Sequence, residues 1–180
     1  MAKNFIALKD VDPKGSHSYL IDTNMWVYLF SPIGSTQQKL QDSIGKFIEN
    51  CQRVDAGIVT TSFIVAEFFH VTLGISFDQW VKARGSSNPV TLKKDFRPTD
   101  EYAESIHFIT STIEKICKIA TRQQDSFETI DVDNVLKNCS HAEYFDNHML
   151  ELSNQKKWFI VSNDRDLLEH PDRTTTIIVP

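Results

Sequence analysis

Five carboxylates stand in positions from which they could serve metal-assisted hydrolysis. Asp22 ends the apolar run Ser18-Tyr19-Leu20-Ile21 and is followed by Thr23-Asn24-Met25-Trp26. Glu67 lies between Ala66 and Phe68 in an otherwise apolar stretch, and Asp146 lies in a later helical pattern. Asp164, with Asp166 behind it, comes directly after Trp158-Phe159-Ile160-Val161-Ser162-Asn163. Acids gathered in one place repel one another, which raises their pKa values or demands a cation. The cation that suits clustered Asp and Glu oxygens is Mg²⁺ or Mn²⁺, held by a few carboxylates with waters retained. A site of that kind activates water and neutralises charge on a phosphodiester during its cleavage. Each acid also has a structural reading. Asp22 could end a strand, Glu67 could be a buried, paired acid, and Asp146 could be a solvated helix residue. Asp164 and Asp166 could cap the helix that holds Leu167 and Leu168, a role compatible with metal binding.

For these acids to meet, the chain must bring strand ends together. The segments 18–23, 57–60, 158–162 and 174–179 are short, apolar and rich in β-branched residues, as buried strands are. Between them run helical patterns. One starts at Thr36 with Leu40, Ile44, Phe47, Ile48 and Cys51 inward, after the breaker Ser31-Pro32-Ile33-Gly34, and a short helix capped by Asn24 precedes that breaker. A third covers 63–73, capped by Thr61 or Ser62 and ended by Gly74, and a long one runs from Arg97 to about Arg122. Thr129-Ile130-Asp131 reads as a short extended piece before a helix at 132–137. A last long helix, capped by Ser140, runs to about Asn154 with Ala142, Phe145, Met149 and Leu152 inward. Strands separated by helices imply a three-layer α/β/α architecture with a central, mainly parallel sheet and right-handed crossovers. In such sheets ligands bind beyond the carboxyl ends of the strands, which is where Asp22 and Asp164 fall.

Composition narrows the classes. The chain has 180 residues, enough for one domain with a real core, and its 41% apolar content and 12 Phe argue for a packed interior. No stretch approaches the run of about 18 apolar residues that a membrane helix requires, and the N-terminus is too soon charged for a signal peptide, so a cytoplasmic protein without a membrane partner is expected. Cys51, Cys117 and Cys139 are odd in number and far apart, which reads as reduced structural thiols rather than a disulfide framework or a zinc site. A net charge of −5 weighs against binding nucleic acid through bulk positive field.

In order and spacing the acid motifs resemble the PIN-domain nucleases, the family that includes VapC-type toxins. The matching residues are Leu20-Ile21-Asp22-Thr23-Asn24, Ser62-Phe63-Ile64-Val65-Ala66-Glu67, Asp146-Asn147-His148-Met149 and Ile160-Val161-Ser162-Asn163-Asp164-Arg165-Asp166-Leu167. The resemblance covers 18–180 as a single PIN-like domain, with 1–17 as an N-terminal extension and a longer variable segment at about 74–99. It implies a Mg²⁺- or Mn²⁺-dependent ribonuclease, either the toxin of a toxin–antitoxin pair or an RNA-processing enzyme. Its site would comprise Asp22 as central ligand with Glu67, Asp146 and Asp164, and with Asp166 orienting or starting the helix. Thr23, Asn24 and Ser162 would support the carboxylates or the attacking water. RNA is the implied substrate, an antitoxin protein the implied partner, and a homodimer the expectation by analogy. Residues 74–99 and His148, Met149 and Glu151 depart from the compact toxins and point to a larger relative.

Two other readings stand beside this one. A catalytically inactive PIN-like module would bind RNA or protein and keep its acids for structure. A phosphatase using Asp22 as nucleophile would need a second Asp two residues on, where Asn24 stands. Lys82, Arg84, Lys93, Lys94 and Arg97 form the most basic stretch and are the candidate RNA contacts, with Trp80 either stacking on a base or packed in the core. His70 and His148 lie within reach of Glu67 and Asp146 in sequence, and packing or surface roles account for both.

Overall fold

The computed structural model describes residues 5–30, 38–85, 89–171 and 174–180. Its centre is a six-stranded, all-parallel sheet in the order β1-β6-β5-β2-β3-β4, flanked by helices. The strands are β1 (Phe5–Ala7), β2 (Ser18–Ile21), β3 (Gly57–Thr60), β4 (Thr121–Arg122), β5 (Phe159–Val161) and β6 (Ile177–Val179). The helices are α1 (Thr23–Phe30), α2 (Gln38–Arg53), α3 (Ser62–Arg84), α4 (Asp100–Ile119), α5 (Val132–Lys137), α6 (Tyr144–Lys156) and α7 (Arg165–Glu169). β2 is buried on both faces, with Leu20 level with Val59 on one side and Ile160 on the other. That explains its unbroken apolar run. From β2 the chain winds outward through β3 and β4, then returns across β2 to β5 and β6. The reversal creates a switch-point crevice between β2 and β5, where parallel sheets bind ligands.

Several elements differ from the sequence reading. Gly74 does not end α3, which continues to Arg84 and is capped by Gly85, a residue at φ +59° in the left-handed region. An interior glycine costs a helix about 1 kcal/mol. That cost is offset beyond Gly74 by a cluster in which Phe77, Trp80 and Phe96 lie 5.1–6.0 Å apart, centroid to centroid. α4 stops at Ile119, and Thr121–Arg122 pair with β3 as a short strand. Thr129-Ile130 lies in a turn rather than an extended piece, and α5 follows it. α6 starts at Tyr144, because Asn138–Ser140 is a separate 3-10 turn and the amide of Asn147 donates to the carbonyls of Ala142 (2.9 Å) and Glu143 (3.0 Å). Asp146 is thereby moved into the first turn of α6. Phe145, expected inward, is 48% exposed. Within the segment 1–17, Phe5–Ala7 form the edge strand beside β6. The breaker at 31–34 and the cap at Thr36 lie outside the described residues.

Cys51 is buried and Cys139 exposed, and all three cysteines are free thiols. Among the described residues, no helix is long and apolar enough to cross a membrane.

Candidate active site

Three adjacent strands deliver the polar groups at the crevice. Asp22 follows β2, Thr61 and Ser62 follow β3, and Ser162 follows β5. The Asp22 N–H donates to the Val161 carbonyl at 3.0 Å, tying the end of β2 to β5. Its own carbonyl accepts from Met25 and Trp26 as α1 begins. Asp22 is 5% exposed, and the Ser162 hydroxyl donates to its Oδ2 at 2.6 Å. The same Ser162 oxygen accepts from the Asp164 N–H at 2.9 Å, so one hydroxyl links two of the acids.

Glu67 sits in the second turn of α3 and accepts from the Thr23 hydroxyl at 2.5 Å. Asp164 is the N-cap of α7, with Oδ1 accepting from the Asp166 N–H at 2.8 Å, while Oδ2 lies 3.5 Å from the Asn24 amide. Asn24 therefore belongs to α1 itself rather than capping it from outside. Asp146, in the first turn of α6, has no hydrogen bond to its side chain among the described residues. Asp166 is exposed and bonds Asp164 through its backbone N–H.

The four acids feel one another. Burial, opposed by the Ser162 hydrogen bond and reinforced by the charges of Glu67 and Asp164, pushes the Asp22 carboxyl up to about 6. Burial, followed by the charges of Asp164, Asp22, Glu67 and Glu143, pushes Asp146 up to about 7. Among the described residues, the one ion pair is Arg165–Glu169, at 2.8 Å on the surface, so no cationic side chain compensates the cluster. This imbalance fits a divalent cation. Among the described residues, no group of three or more His, Cys, Asp or Glu side chains is arranged to hold a metal ion.

One supporting residue escaped the sequence reading. Asp125, in the loop after β4, accepts from the Ser62 N–H at 3.1 Å and from the Ser62 hydroxyl, and so fixes the start of the helix that carries Glu67. Its own carbonyl meets the ring of the fully buried His148 at 3.0 Å. Nothing in Gln123-Gln124-Asp125-Ser126 marks that role, because it depends on a contact 63 residues away. His148 belongs to this packing, and His70 is exposed on α3.

The proposed RNA-contact stretch lies elsewhere. Lys82 is 15 residues along α3 from Glu67, which at 1.5 Å per residue is about 22 Å. Trp80 is buried between Phe77 and Phe96, and the Arg84 guanidinium covers its ring at 4.6 Å, so it is not available to stack on a base. Lys93, Lys94 and Arg97 are exposed in and just after a turn of π-helix, Leu92–Phe96.

No protein-family model and no curated protein sequence matches the chain. Solved structures do. The VapBC2 structure from Rickettsia felis, bound to a DNA fragment from their promoter, superposes with a TM-score of 0.52 at 12% identity, covering 91% of this chain and 97% of that one. PAE2754 from Pyrobaculum aerophilum is 14% identical, with a TM-score of 0.47 over 91% of this chain and 90% of that one. At such identities the likeness concerns architecture alone, and with the all-parallel sheet it establishes that this chain has a PIN-like fold.

Proposed function

We propose that this protein is a Mg²⁺- or Mn²⁺-dependent ribonuclease that hydrolyses RNA phosphodiester bonds. The observation that carries the reading is the influence that Glu67 and Asp164 exert on Asp22, and Asp164, Asp22 and Glu67 on Asp146, without a compensating cation among the described residues. A bound divalent ion would supply Lewis acidity and an acidified water. The chain's own residues set the geometry. Ser162 holds Asp22 and the backbone of Asp164 in one arrangement, Thr23 orients Glu67, and Asn24 faces Asp164. Asp146, without a side-chain donor, keeps both oxygens for water or an ion.

The finer reading, a toxin with an antitoxin-like partner, draws on the architecture shared with the VapBC2 structure and on the motif resemblance. One observation favours a second reading, an inactive module that binds RNA or protein: among the described residues no group of three or more His, Cys, Asp or Glu side chains is arranged to hold a metal ion.

Incubating wild type and Asp22→Asn with end-labelled single-stranded RNA, with and without Mn²⁺, separates the two. The nuclease reading expects cleavage only by wild type with the ion. The loss in the variant should be about 100-fold or more, since removing even an outer partner of a metal ligand costs about 10–100-fold. Equal cleavage by both proteins, or none under any divalent ion, contradicts it.

A further inference from the structure

We propose that Phe63, Phe145 and Phe127 form a stacking shelf that seats the bases of single-stranded RNA beside the acid cluster. The proposal deepens the nuclease reading and rests on it for the identity of the ligand. Phe145 and Phe127 are 48% and 58% exposed, large values for Phe, while Phe63 is half-buried. Phe145 immediately precedes Asp146. Phe63 is four residues before Glu67 on α3, and therefore on the same helical face. The two rings meet across the helices at 5.6 Å. Both line the small cavity onto which Glu67 and Asp146 open.

The shelf is braced from below. Buried His148 takes the edge of Phe63 at 4.4 Å and lies nearly parallel to Phe127, at 11° and 6.3 Å, with Tyr144 alongside at 6.0 Å. These contacts hold the rings in place while about half of the surface of Phe145 and of Phe127 stays exposed.

Charge argues for the same ligand contact. A net charge of −5 and four acids at the site give phosphates no bulk attraction, and the exposed lysines of 82–97 begin some 22 Å along α3. Nearer the acids, exposed Arg165 is paired with Glu169 and Arg122 ends β4 beside Thr60, so rings that take the bases would add to the few phosphate contacts these offer. Aromatic side chains do this without reading sequence, because every base has a π-face.

Fluorescence anisotropy of a labelled single-stranded RNA, measured in EDTA so that cleavage plays no part, tests the shelf. Phe145→Ala and Phe127→Ala should each weaken binding by about 5- to 150-fold, the range for one lost base stack. Phe145→Trp should bind as well as wild type, and Phe145→Leu should bind as poorly as the alanine variant. An RNA with an abasic nucleotide at the stacked position should bind weakly to wild type and lose little more with Phe145→Ala. Both sites are exposed, so unchanged melting temperatures are the control for folding. Unchanged affinity in the alanine variants overturns the shelf. So does Phe145→Leu binding like wild type, which would mark a generic apolar surface for a protein partner. Ring-dependent binding without Mn²⁺-dependent cleavage would retain the shelf and reject the nuclease. Cleavage with ring-independent binding would do the reverse.

Discussion

The two ends of α3 solve opposite problems. At its start, Glu67 joins three acids whose charges are left uncompensated by any described cation, and two of those acids are pushed well above the carboxylate range. Towards its end, Trp80 packs against Phe77 and Phe96, Phe96 meets Tyr102 edge-on at 5.5 Å, and Arg84 covers Trp80. There, Asp95 is held below the usual carboxylate range by the Thr91 N–H and hydroxyl. One end has its polar groups partnered and its apolar groups covered. The other holds charge that costs stability unless something binds. Such unresolved cost tends to collect at functional sites, and the contrast predicts that substitutions at the two ends will separate stability from activity.

The largest expected effect tests the packed end. Trp80→Ala should destabilise the protein by about 3–5 kcal/mol in urea unfolding, as removal of a buried aromatic does, while cleavage per folded molecule stays unchanged. A specific loss of cleavage at full folding would break the contrast. At the acid end the balance inverts. Ser162→Ala removes the hydroxyl that links Asp22 to Asp164 and should lower cleavage by about 10–100-fold, read as initial rates at saturating Mn²⁺.

Asp146→Asn should stabilise the metal-free protein at pH 8 by on the order of 1–2 kcal/mol, because it removes an ionisation that the fold disfavours. The sign follows from the raised values. Between the unfolded carboxyl range near 4 and the folded values of about 6 for Asp22 and about 7 for Asp146, the folded state binds more protons. Metal-free stability should therefore fall as pH rises through that window, and the Asp146→Asn profile should be flatter. A wild-type stability that instead rises from pH 4 to 7 by these groups would contradict the cluster. The smallest effect belongs to Lys93→Ala and Lys94→Ala, exposed charges far along the fold from Glu67. They should change stability by less than about 0.5 kcal/mol and weaken RNA binding less than Phe145→Ala does.

What could be read from the sequence was what short-range chemistry encodes. Asp22 after a run of apolar residues marks the end of a buried strand, and Ser162-Asn163-Asp164 marks the passage from strand to helix cap. The pattern of strands and helices carried the sheet's class. Longer-range features were hidden. Gly74 looks like a helix stop because its local cost is visible, whereas the aromatic packing of Phe77, Trp80 and Phe96 that offsets it depends on residues brought together by folding. Phe145 shares the face of Met149 and Leu152 as its period suggests, but it lies in the first turn of α6 at the edge of the core and so stays half exposed. Thr121–Arg122 is too short for a periodicity signal and is defined by pairing with β3. Asp125 carries no local signature at all.

The central claim is that the acid cluster is a cation-dependent centre, and thermal unfolding with increasing Mn²⁺ at pH 8 and at pH 5 tests it most directly. At about 100 times its dissociation constant, an ion bound only by the folded state stabilises by about 2.7 kcal/mol, which for a domain of this size is roughly 5–10 °C in Tm. The account predicts that rise for wild type at pH 8, a much smaller one at pH 5 where Asp22 and Asp146 are protonated, and none for Asp22→Asn. Equal shifts for wild type and Asp22→Asn at both pH values would contradict it.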